Sequence, residues 1–244
     1  MNAKIIGAIG AAVAILLLTA CTTNNGYKSA DFSGNKVYKK GHVGPQLKEN
    51  DVLGLRATDK VTDREISRVL DETRTISLRR GSTVLVVQSG ARHPDKEMSD
   101  ALSADFTIIP YSGVPSELCS EDEDVSKALR LAAAHSKAET ILVYWGHLEL
   151  KRDEMPTGIV SWVPVVDFMV PDEYQKMRMY LKIALIDVRT GQWATFRTEP
   201  IEDQTLTTRY AREHEQKWPM QGVKQRLYQA SVRQLMDGYV VASN

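Results

Sequence analysis

The chain has 244 residues, with 31 basic and 31 acidic side chains and a formal net charge of zero. That balance supplies no electrostatic case for nucleic-acid binding. An apolar content of 43% is that of a globular protein, and two cysteines exclude a disulfide framework.

Residues 1–20 read as a signal peptide. Lys4 gives a positive start, and residues 5–18 carry no charge. That run is too short to span a bilayer comfortably as a permanent helix. It ends in Leu18-Thr19-Ala20-Cys21, small residues ahead of a cysteine, which resembles the lipobox of bacterial lipoproteins. The resemblance implies cleavage before Cys21 and lipidation of that cysteine, palmitate included. The chain would then reach the membrane through its N-terminal lipid, each buried methylene contributing about 0.8 kcal/mol. Thr22 and Thr23 follow, where an aspartate would resemble an inner-membrane retention signal. The implied location is the periplasmic face of the outer membrane. If Cys21 is acylated, Cys119 has no partner within the chain. It reads as a small loop or core residue, with a free thiol or an intermolecular bridge as the other reading.

Residues 21–50 are expected to be the lipidated N-terminus and a flexible linker, because apolar residues are sparse among Asn, Gly, Lys and Ser. As a coil the linker averages about 30 Å end to end. Residues 51–244 are expected to form one periplasmic α/β domain, long enough for a sizeable core. Thr62 and Glu65 make a capping box ahead of Ile66, Val69, Leu70 and Thr73 at helical spacing, and Ile76 and Leu78 extend that face. Thr83-Val84-Leu85-Val86-Val87 predicts a strand buried on both faces. A turn over 89–95 leads to a short helix near 96–103 and a second strand over 106–110. Ser120 and Glu123 suggest another capping box, opening a helix to about Lys137 with Val125, Ala128, Leu129 and Ala132 inward. A third strand, 141–145, follows. Met177, Met179, Leu181, Ile183 and Leu185 alternate with Arg178, Tyr180 and Lys182, so one face is buried and the other exposed or shared. Arg189-Thr190-Gly191 forms a tight turn into Trp193-Ala194-Thr195-Phe196. A last helix over 221–238 carries Val223, Leu227, Val232, Leu235 and Met236. The predicted fold is α/β, a single mixed sheet built as β-α-β-α-β, then an antiparallel hairpin and a C-terminal helix.

This order on a lipidated chain resembles the group that includes the curli-secretion channel lipoprotein, the lipoprotein activators of penicillin-binding proteins and the N-terminal domain of the Tol-system propeller protein. Three stretches carry the likeness. They are Ala-Ala-Ala-His-Ser-Lys-Ala-Glu-Thr-Ile-Leu-Val-Tyr-Trp over 132–145, the hairpin Ile186-Asp187-Val188-Arg189-Thr190-Gly191, and the C-terminal amphipathic helix. The resemblance implies action by binding an envelope protein or by self-association, without catalysis. One departure is the apolar insert within 151–175. It reads as an edge strand or buried connection, as a partner patch, or as the membrane hairpin of an oligomeric secretion pore. The partner-patch reading names Trp162, Val163, Val165, Phe168, Met169 and Tyr174.

No catalytic residue, metal ligand set or cofactor site is expected. His147 and Glu149 share a strand face, but no third ligand follows at a suitable spacing. Arg92-His93-Pro94-Asp95-Lys96 copies the J-domain tripeptide without its flanking helices, and reads as a turn. The run Glu121, Asp122, Glu123 and Asp124 suits a helix start. The expected function is an accessory, assembly or regulatory binding module of the cell envelope. A peptidase-like envelope hydrolase, whose residues would assemble only in three dimensions, is the rival from another class.

Overall fold

The computed structural model describes residues 46–55, 61–71, 76–113, 124–151, 159–162, 176–203 and 220–241. A short turn of helix, α1 (Glu49–Val52), precedes an isolated helix α2 (Asp63–Asp71) and a two-residue strand β1 (Leu78–Arg79). Strand β2 (Thr83–Gln88) is the apolar β-branched run, and everything in it beyond Thr83 is buried. Helix α3 (Lys96–Leu102) leads to strand β3 (Thr107–Pro110). Helix α4 (Val125–His135) leads to the long strand β4 (Thr140–Lys151). Strands β5 (Ile159–Trp162), β6 (Lys176–Asp187), β7 (Trp193–Arg197) and β8 (Ile201–Asp203) follow. The twenty-residue helix α5 (Met220–Tyr239) runs into strand β9 (Val240–Val241).

The main sheet is mixed and ordered β3-β2-β4-β6-β7, with β5 also on β4 and β8 also on β6. Strands β3, β2 and β4 are parallel, while β6 runs antiparallel to β4 through twelve paired positions. The connection through α3 steps from β2 to β3. The connection through α4 returns past β2 to its other side. The two helices therefore lie on opposite faces, as right-handed crossovers require.

Each face holds a core. On one, Met98 and Leu102 of α3 and Val223, Leu227, Tyr228 and Leu235 of α5 cover Val84, Val86, Leu142, Leu181 and Ile183. On the other, Leu129 and Ala133 of α4 and Val52 and Leu53 near α1 cover Leu85, Val87, Ile141, Val143, Ala184 and Ile186. Each large apolar side chain so buried contributes about 1.5–3 kcal/mol. The alternation in β6 thus reflects a strand shared between two cores rather than one with a wet face.

Several expectations are corrected in detail. The Thr62–Glu65 capping box forms, with the Thr62 N–H donating to Glu65 Oε2 at 2.9 Å and the Glu65 N–H to Thr62 Oγ1 at 3.3 Å. Its helix packs on nothing among the described residues, and every residue of α2 is exposed, Leu70 at 79%. Leu78 is not on that helix. It lies in β1 and pairs in parallel with Val240. Helix α4 is capped by Asp124, whose carboxylate accepts from the Lys127 N–H, and Ser120 and Glu123 lie outside the described residues. Leu47 is already part of the folded body, four residues before the expected domain start. Its N–H donates to Ser89 Oγ, and its carbonyl accepts from Trp145 Nε1 at 2.8 Å.

Candidate functional site

Strand β2 ends at Gln88, opposite Tyr144 of β4. Here the two helical crossovers diverge, and open α/β sheets place functional groups at the carboxyl ends of strands beside such a switch point. A polar cluster sits there within an otherwise apolar face. Tyr144 donates its hydroxyl to Gln88 Oε1 at 2.6 Å. The backbone N–H of Asp95 donates to the same Gln88 oxygen at 2.7 Å and to Tyr144 Oη at 3.1 Å. From α5, Lys224 Nζ lies 3.1 Å from Asp95 Oδ2, and the Tyr228 hydroxyl donates to that oxygen at 2.5 Å. The Tyr144 and Tyr228 rings meet edge to face, centroids 6.0 Å apart. Lys224 and Tyr228 are one helical turn apart, so both point inward from the same stripe as Val223 and Leu227.

Burial, with the Asp95 charge second for Tyr144, pushes its hydroxyl well above the ordinary phenol range. Burial followed by Tyr144 and Asp95 does the same to Tyr228. Both phenols therefore stay protonated at neutral pH and serve as donors. The Asp95 carboxylate is occupied by an ammonium and a hydroxyl. The cluster pins the 89–95 turn to the last helix, and its chemistry is that of a lock rather than of a nucleophile and base.

A second polar grouping lies on the far half of β4 and β6, beyond the end of β2. His147 pairs in register with Tyr180, and their rings stack at 4.8 Å. Arg197 of β7 places its guanidinium carbon 3.6 Å from the centroid of the Tyr180 ring. Glu149 is buried and paired with Arg178, its register partner, and Lys182 Nζ meets Glu49 of α1 at 2.5 Å. Burial lowers the His147 pKa below its ordinary value, and the Arg197 and Lys182 charges add to this while Glu149 opposes it. His147 and Glu149 do share a face, as the spacing predicts. They are turned to different partners, however, and among the described residues no group of three potential ligands gathers.

Strand β5 pairs antiparallel with β4 from Glu149–Ile159 to Gly146–Trp162, so Ile159–Trp162 of the insert is a sheet strand. Trp162 closes it. Val163, Val165, Phe168, Met169 and Tyr174, with Cys21 and Cys119, lie outside the described residues. Sequence reading missed the Asp95 cluster. Its signal was available in retrospect as a lysine and a tyrosine four apart on an apolar helix stripe, facing a tyrosine inside an apolar strand.

The class is now defined: a mixed α/β domain with one main sheet and helices on both faces. The chain belongs to the family described as YafT bacterial lipoprotein, which it matches over residues 48–238. It is thus an envelope-associated lipoprotein, a class held at membranes by lipid, and no described helix is long and apolar enough to cross one. No curated protein matches the sequence. A structure solved at 1.65 Å, the hypothetical protein CT253 from Chlamydia trachomatis, aligns at 14% identity over 64% of this chain and 96% of its own, with a TM-score of 0.33.

Proposed function

We propose that the chain is cut before Cys21, acylated there with palmitate among its chains, and held on the periplasmic face of the outer membrane. Residues 51–244, with Leu47 and α1, form its periplasmic domain at the end of a linker. The domain acts as an accessory, assembly or regulatory binding module for an envelope protein or for copies of itself. Membership of a bacterial lipoprotein family, with Leu18-Thr19-Ala20-Cys21 upstream of the matched region, is the observation that carries this reading. A binding role is further supported by the buried charges. Asp95 is matched by Lys224, and Glu149 by Arg178, so these groups hold structure rather than wait for a substrate. The resemblance to the curli, penicillin-binding-protein-activator and Tol group points the same way. The candidate contacts remain Trp162, Val163, Val165, Phe168, Met169 and Tyr174.

The test is metabolic labelling with a palmitate analogue, followed by density separation of membranes. Labelled protein in the dense outer-membrane fraction, lost in Cys21→Ala, is the expected result. Label persisting in Cys21→Ala overturns the anchor. Unchanged recovery of crosslinked partners by Trp162→Asp and Phe168→Asp overturns the patch.

A further inference from the structure

Strand β7 ends the main sheet, and among the described residues no strand pairs with its outer side. The hydrogen-bond parity of this edge is fixed by its ends. Asp187 donates its N–H to Gln192 O, and Thr198 donates to Leu181 O. Residues 192, 194, 196 and 198 therefore turn their backbone groups toward β6. Trp193, Thr195 and Arg197 turn theirs outward. The outward Arg197 carbonyl accepts from the Gln234 side chain of α5 at 3.2 Å, as a carbonyl without a strand partner would. Trp193 is 42% exposed, and Arg197 is exposed as well.

We propose that β7 is a self-association edge, through which two copies of this chain pair antiparallel across a two-fold axis at Thr195. The occupant is a second copy because the strand complements itself about that residue. With Thr195 on the axis, Trp193 stands opposite the second copy's Arg197 on one face of the sheet. Ala194 stands opposite the second copy's Phe196 on the other. One face then matches an aromatic ring to a cation, and the guanidinium lies between Tyr180 of its own chain and the incoming indole. The other face matches a small side chain to a large one, beside the Phe196–Tyr239 stack with centroids 5.3 Å apart. The parity agrees with the side chains. The three outward-turned residues become hydrogen-bonded pairs in this register, and a shift by one residue would oppose outward groups to inward ones.

A five-residue edge covers well under the roughly 800 Å² per partner of a standard interface. The pairing is therefore weak in dilute solution. Copies tethered to one membrane are confined to a thin layer, which raises their effective concentration over that in solution. The proposal deepens the self-association arm of the proposed function and rests on the lipid anchor only for its yield.

The experiment is cysteine crosslinking of the full chain in membranes, with Cys119→Ser as background. A hydrogen-bonded pair places its Cα atoms about 5.5 Å apart, within reach of a disulfide. Two residues at position 193 lie about 14 Å apart in this register and are out of reach. The expected result is a disulfide dimer for Thr195→Cys, at least about tenfold above Trp193→Cys alone. Trp193→Cys and Arg197→Cys chains made together should link to each other. Thr195→Lys sets like charges across the axis and should remove that mixed link. All variants are read only where their circular dichroism matches the parent. No dimer from Thr195→Cys, an equal yield from Trp193→Cys, or a link to a different protein each overturns the proposal. Cys21→Ala protein, concentrated in solution, separates the two readings. Linkage there in the same register upholds the edge whatever becomes of the anchor. Palmitate labelling without any linkage at 195 upholds the anchor and sinks the edge.

Discussion

Replacing Asp95 by alanine takes one acceptor from two donors. Lys224 Nζ is 3.1 Å and the Tyr228 hydroxyl 2.5 Å from the same carboxylate oxygen, and both charged side chains are only 11% exposed. An exposed ion pair is worth no more than about 1 kcal/mol. At this burial, removing one partner leaves a desolvated charge, and the usual cost is about 3–5 kcal/mol. Lys224 keeps at least one further contact, which places the expectation near 3 kcal/mol. The double variant Asp95→Ala/Lys224→Met removes both charges and takes from the buried Tyr228 hydroxyl one of its contacts, at about 1–2 kcal/mol. Urea unfolding followed by far-ultraviolet circular dichroism reads both. With a slope of about 2.5 kcal/mol per molar, the midpoint falls by about 1.2 M for the single variant and about half of that for the double. A single variant within about 0.2 M of the parent, or a double worse than the single, would refute the account of this cluster as a charge-matched lock.

Three further outcomes follow from other sites. Gly191 adopts φ 77°, and a Cβ there would come within 2.7 Å of Arg130 Nη1, which is held by the 188–189 carbonyls. Gly191→Ala should cost about 1–3 kcal/mol and lower the melting temperature by several degrees, and an unchanged melt would contradict the turn geometry. His147 has a folded pKa below its ordinary value of 6.5, so the unfolded chain binds more protons between the two values. Stability contributed by the neutral ring is complete above pH 6.5 and is lost as pH falls from there toward the folded pKa. His147→Phe, which keeps a ring on Tyr180, should flatten that dependence in unfolding curves taken across the window. Helix α2 buries no residue, and nine residues are too few for a stable free helix. Its amides should exchange with deuterium within seconds, whereas those of β4 and β6 should persist for hours; comparable protection would show that something covers it.

The parts of the fold legible in the sequence are those where one force dominates. Strand β2 is apolar on both faces, and β6 alternates strictly, so period and composition name them. The hairpin turn is equally plain, since Asp187 Oδ1 accepts from the Thr190 N–H at 2.6 Å and Gly191 takes the left-handed position. Where two readings compete, the sequence is ambiguous. Thr62 and Glu65 do cap a helix, but capping says nothing about whether a packing partner exists. The three-residue seam of Ile66, Val69 and Leu70 finds none among the described residues. Strand β4 runs six residues past the apolar stretch because β5 and β6 supply its hydrogen-bond partners there, a tertiary cause invisible in Gly146-His147-Leu148-Glu149. The Asp95 cluster was illegible for a related reason. Its members come from a strand end, a turn, the neighbouring strand and the last helix, and only the closed fold brings them together.

The pairing of β1 with β9 has a consequence for how the molecule is made. Leu78 is among the most deeply buried side chains, yet its strand partner Val240 is nearly the whole domain away along the chain. Bridging so long a loop is slow, and nothing is gained until the bridge is made. During synthesis the sheet can pair its inner strands while one of its two faces still waits for α5, with Met98, Leu142 and Leu181 uncovered until that helix arrives. The domain therefore behaves as a vessel whose lid is the last part delivered. Its folding should be committed late, when that helix docks.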